Sequence, residues 1–124
     1  MTGKSSEILI LIVEDDPLIA ESIRAWVAEA GYRAIGPALS LTEAKAAIAD
    51  NTLAAALLDI RLGGDDRSFE VADILAALRV PFAFLSAYSE VLTPRKFRDV
   101  PHLMKPFAGD ALTALLHQLA GPPP

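Results

Sequence analysis

The chain has 124 residues, 52% of them hydrophobic, no cysteine and a formal net charge of −5. These figures fit one domain with a packed interior and exclude a disordered chain, disulfides and thiolate metal sites. The acidic balance argues against sequence-independent DNA binding, which relies on Lys and Arg neutralising phosphates. No apolar run approaches the roughly 20 residues of a membrane span, and the opening "MTGKSSE" lacks the apolar stretch of a secretory signal. A cytoplasmic location, with no membrane insertion and no direct nucleic-acid partner, is therefore expected.

Residues 1–7 read as a flexible start, 8–120 as the domain and 121–124 as a tail. "ILILIV" reads as a strand buried on both faces, as parallel sheets require. Asp16 and Pro17 form an N-cap and a proline at the first helical position. Ile19, Ile23, Trp26, Val27 and Ala30 continue a 3.6-residue stripe, with Trp26 expected in the core, and Gly31 is placed to stop the helix. "YRAIGPA" is a short, weaker strand. A second helix opens with Ser40 and Glu43 at capping-box spacing and carries Leu41, Ala44 and Ile48 on one side. "LAAALLDI" is another apolar strand, ending in Asp59. "RLGGDDRS" is a loop, followed by a helix on Val71, Ile74, Leu75 and Leu78. "VPFAFLSAY" is a strand whose far end carries Ser86. Pro94 allows at most a short helix beginning near Thr93. "HLMKPF" is a brief strand, and the last helix places Leu112, Leu115, Leu116 and Leu119 on one face.

Strand and helix alternate through five rounds, which predicts an α/β fold: a doubly wound parallel sheet covered on both sides by helices. Ligands in such sheets bind at the carboxyl ends of the strands. Glu14 and Asp15 end the first strand, Asp59 the third, Ser86 the fourth and Lys105 the fifth, so the polar groups gather at one rim. Adjacent carboxylates raise one another's pKa unless a cation compensates. With no His or Cys among them they form a hard oxygen site suited to Mg²⁺. Lys105 supplies a point charge for an anion and Ser86 a hydroxyl donor. Together they describe phosphoryl transfer onto an acid side chain. Asp59 is the candidate nucleophile, and Glu14 and Asp15 the candidate metal holders.

"VEDDP", "LLDIRLGG", "FLSAY" and "KPF", in this order, resemble the receiver domain of two-component response regulators from end to end. The resemblance implies a flavodoxin-like (βα)₅ fold with strand order 2-1-3-4-5, Mg²⁺ as cofactor, and Asp59 as acceptor of phosphate from a sensor histidine kinase. It also implies Arg61 as a metal ligand through its backbone carbonyl, a cis Lys105–Pro106 bond, and at most self-phosphorylation and self-dephosphorylation as enzymatic activity. A stand-alone receiver of this kind signals to an unknown downstream protein by altered interaction, or acts as a phosphate shuttle or sink. A monomer or weak dimer is expected.

Three departures stand out. His102 occupies the place where most receivers carry a switching Tyr or Phe. The loop "GGDDRSF" looks lengthened. "PFAFLSAYSE" partly resembles the signature of a stand-alone receiver subgroup nicknamed FAT GUY, associated with alphaproteobacteria and HWE-type kinases. Ser86, Tyr88 and His102 are therefore the switch candidates. His102 is expected as a partly buried ring, His117 as exposed, Arg61 as solvent-facing, and "PRKFRD" as a solvated face. Arg61 and Tyr88 could alternatively flank the phosphoryl group and hinder attacking water.

Other classes fit less well. An aspartyl-phosphate hydrolase would carry a second Asp two residues beyond the nucleophile, where Arg61 stands. A flavin carrier would need a hydroxyl- and glycine-rich loop after the first strand, whereas "EDDP" repels phosphate. The alternative kept open is a degenerate receiver acting as a constitutive protein-binding module.

Overall fold

The computed structural model describes residues 7–62, 67–86 and 93–123. Its elements follow the order β1 (Leu9–Val13), α1 (Pro17–Glu29), β2 (Arg33–Ala38), α2 (Leu41–Asp50), β3 (Ala55–Asp59), α3 (Phe69–Ala77), β4 (Phe82–Ser86), β5 (His102–Met104) and α4 (Gly109–Ala120). A 3₁₀ turn at Arg95–Phe97 precedes β5. The strands pair in parallel in the order β2-β1-β3-β4-β5, as expected.

Parallel strands covered on both faces must be apolar at every position, and β3 and β4 are buried throughout. Alternate residues serve opposite layers, because successive strand side chains point to opposite faces. Leu11, Val13, Leu58 and Phe84 join Ala44, Ile48, Val71 and Leu75 of α2 and α3. Ile10, Ile12, Leu57 and Leu85 join Ile23, Val27, Leu112 and Leu116 of α1 and α4. Each fully buried aliphatic side chain contributes about 1.5–3 kcal/mol, so these two layers hold the strands in register.

Local signals at the helix ends act largely as expected. The Asp16 side chain accepts from the Leu18 and Ile19 amides, with Pro17 opening α1. Ser40 Oγ accepts from the Glu43 amide at 3.2 Å. Glu43 returns its carboxylate to the Leu39 amide at 2.9 Å, one residue before the reciprocal partner a capping box uses. Gly31 follows α1 with φ 97°, a left-handed position that suits glycine.

Several expectations are corrected. Leu78 is 57% exposed, because α3 ends at Ala77 and Arg79 turns the chain with φ 61°. Trp26 is only half-buried, packed against Phe107 with ring centroids 5.7 Å apart. His102 is exposed: β5 is an edge strand, and its first and third residues are exposed. The 3₁₀ turn at Arg95–Phe97, by contrast, agrees with the short helix at most that Pro94 allows. After α4 the Tyr32 hydroxyl donates to the Gly121 carbonyl at 2.7 Å. Residues 1–6 of the expected flexible start lie outside the described residues, and Glu7 pairs with Arg33 at 3.2 Å.

Candidate phosphoacceptor site

Strand register assembles the site. Val13 pairs with Leu58, which sets Glu14 beside Asp59, the residue after Leu58. Asp59 pairs with Leu85, and Ser86 with Met104, so Ser86 and Lys105 close the same rim from β4 and β5. The Lys105 amide donates to the Ser86 carbonyl at 2.7 Å, and the Lys105–Pro106 bond is cis. The Gly36–Pro37 bond is cis as well, which the sequence reading did not foresee.

One oxygen from each of Glu14, Asp15 and Asp59 lies within 4.8 Å of the others. Glu14 is 1% exposed and Asp59 8% exposed, while Asp15 is half-buried and opens toward solvent. Both Glu14 oxygens are engaged: Oε1 accepts from Lys105 Nζ at 2.6 Å, and Oε2 accepts from the Asp16 amide at 3.3 Å. Lys105 Nζ also stands 3.7 Å from Asp59 Oδ1.

The Asp59 carboxyl is pushed up to about 7. Burial is the largest cause, because it penalises the charged form; Glu14 adds to it, Asp15 adds a little, and Lys105 opposes. An acid held this way gains strongly from a further positive charge. Three carboxylates with no nitrogen or sulfur donor make a ligand set for a hard divalent cation.

Arg61 has an exposed side chain, as expected, and its backbone pairs with Arg67 in an isolated antiparallel bridge. His102 lies at the outer face of β5, its ring 5.2 Å from that of Phe84 and its Nδ1 3.2 Å from the Val100 carbonyl. Tyr88 and most of the "GGDDRSF" loop lie outside the described residues.

A groove of about 630 Å³ opens beside this rim between α1 and the segment after β5, with Lys105 in its wall beside Leu18, Trp26 and Phe107. Sequence reading missed it. The available signal was Leu18, 82% exposed in the first turn of α1, where a solvated helix face would carry a polar residue.

Five parallel strands in this order, with acids and a lysine at their carboxyl ends, define a receiver domain. The chain belongs to the response regulator receiver domain family, which matches residues 10–117, and so to the signal-transducing two-component class. It is 36% identical over 112 residues to the phyllosphere-induced regulator PhyR of Methylorubrum extorquens, covering 88% of this chain and 42% of PhyR. The chain thus spans less than half the length of that relative. The solution structure of SdrG from Sphingomonas melonis Fr1 superposes with a TM-score of 0.81 at 35% identity, covering 96% of this chain and 98% of SdrG. The BeF₃-activated conformation of SdrG from Pseudomonas melonis Fr1 gives a TM-score of 0.75 at 38% identity, covering 90% and 95%. No helix among the described residues is long and apolar enough to cross a membrane.

Proposed function

We propose that this chain is a phosphorylation-controlled signalling module that accepts a phosphoryl group on Asp59 in a Mg²⁺-dependent reaction. The observation that carries the reading is the clustering of Glu14, Asp15 and Asp59 oxygens within 4.8 Å, with Lys105 Nζ 3.7 Å from Asp59. The donor is a sensor histidine kinase, of HWE type by the subgroup resemblance. An Asp59 oxygen forms the new O–P bond as the P–N bond of the donor's phosphohistidine breaks, and the imidazole leaves.

Glu14 and Asp15 hold the metal with Asp59, and the Arg61 backbone carbonyl is the further ligand. When bound, Mg²⁺ supplies charge that keeps Asp59 ionised and neutralises the incoming phosphoryl oxygens. Lys105 offers its ammonium to a phosphoryl oxygen and Ser86 its hydroxyl. The BeF₃-activated state of the SdrG relative supports this reading, since beryllofluoride on a carboxylate mimics a phosphoryl group.

The added charge and acceptor oxygens draw Ser86 and Lys105 inward, and a downstream protein in the cytoplasm reads the change. The chain equally serves as a phosphate shuttle or sink between kinases. Incubation with Mg²⁺ and acetyl phosphate, followed by mass spectrometry, should locate one acid-labile phosphate on Asp59 and none in Asp59→Asn. Phosphate elsewhere, or none in the wild type, overturns the reading and leaves the constitutive binding module.

A further inference from the structure

Phe97 is 3% exposed, although Arg95 and Lys96 of the same three-residue turn are exposed. Its ring lies 5.7 Å from Phe84 at 68°, 5.9 Å from Phe82 at 81°, and 6.1 Å from Phe69 in a stacked arrangement at 28°. Phe69 and Phe84 also meet edge to face at 5.7 Å. Lys96 ties the turn to α3 a second time through Asp73 at 2.7 Å.

Two of these rings are anchored next to the reaction centre. Phe84 sits two residues before Ser86 on β4, hence on the same face of the sheet. Phe69 opens α3, directly after Ser68, whose amide donates to the Ile60 carbonyl at 2.9 Å. The strand end behind Ser86 and the segment leaving Asp59 thus converge on one ring. Close-packed interiors transmit small shifts, and interlocked aromatic edges and faces have few alternative arrangements.

We propose that the Phe69–Phe84–Phe97 cluster carries displacement at the Asp59 rim to the 3₁₀ turn, so that Arg95 and Arg98 are presented differently in the two states. The proposal deepens the phosphoacceptor reading and rests on it. The exposed His102 ring also stands 5.2 Å from Phe84, and the proposed route does not run through it.

The test follows backbone amides of the ¹⁵N-labelled chain upon addition of Mg²⁺ and beryllofluoride. In the wild type, amides flanking Asp59 and those of residues 95–100 both shift. In Phe97→Leu, amides flanking Asp59 shift as in the wild type, while those of residues 95–100 lose their response. His102→Ala keeps both. Phe69→Leu, a milder change at a half-buried helix start, gives the same loss and stands in if Phe97→Leu does not fold. A full response at 95–100 in the leucine variants means the rings only pack, and overturns the proposal. So does loss of the response in His102→Ala, or a loaded wild type whose turn does not move. Absence of any shift around Asp59 in the wild type instead removes the functional reading, and the proposal with it.

Discussion

Lys105 donates to Glu14 at 2.6 Å, closer than the 3.7 Å that separates the same ammonium from Asp59. The lysine therefore stabilises a buried carboxylate that is also a candidate metal holder. Were Glu14 drawn toward a divalent ion, the ammonium would be free for the acceptor side.

Lys105→Met tests that exchange. Removing one partner of a buried pair leaves an uncompensated charge, typically at a cost of about 3–5 kcal/mol. Urea unfolding without metal should show a loss of this order. Saturating Mg²⁺ should recover part of it, because a ligand that binds only the folded state stabilises it.

The stability of the metal-free protein should fall with rising pH. Asp59 is raised from 3.8 to about 7 by burial and by Glu14, so the folded state binds its proton more tightly than the unfolded state. Its contribution is complete below the lower value and is lost as pH rises through the higher one. Urea midpoints measured between pH 4 and 8 should show this slope in the wild type and a shallower one in Asp59→Asn.

The same proton governs cation binding. Metal ligation needs the ionised carboxylate, so Mg²⁺ affinity measured by calorimetry should climb as pH passes through about 7. Asp15→Asn should weaken it by more than about tenfold, the lower end of what even outer-shell changes cost at metal sites.

Gly36→Ala should destabilise the fold without touching the site. Gly36 has φ 100°, and an added Cβ would stand 2.7 Å from the Ala38 nitrogen and 2.8 Å from the Ile12 carbonyl oxygen. Backbone strain of this kind costs on the order of 1–3 kcal/mol. Phosphorylation of Asp59 in the folded fraction should be retained.

Much of this architecture was legible in short stretches. "ILILIV", "LAAALLDI" and "VPFAFLSAY" read as strands from their apolar runs, and their polar ends pointed to one rim. The Asp16 cap was readable because it depends on contacts within three residues. What escaped notice depends on distant partners or local breaks. Leu78 continues the apolar period in sequence, yet it falls beyond the end of α3. His102 and Met104 stand on β5, the edge strand of the sheet, and both are exposed. Strand order places Lys105 at the rim but does not decide whether its ammonium meets Glu14 or Asp59. The Phe69, Phe84 and Phe97 rings come from three separate segments, and only folding brings them together.

The hydroxyl of Tyr32 grips the carbonyl of Gly121, and Pro123 lies against Gly31. Tyr32 immediately precedes β2, at the amino-terminal edge of the sheet, whereas Asp59 closes the carboxyl-terminal edge. A fluorophore or affinity handle joined after this clamp would emerge a full strand length away from the carboxylates. Surface immobilisation through that end should leave the acidic rim open to donor and ion alike.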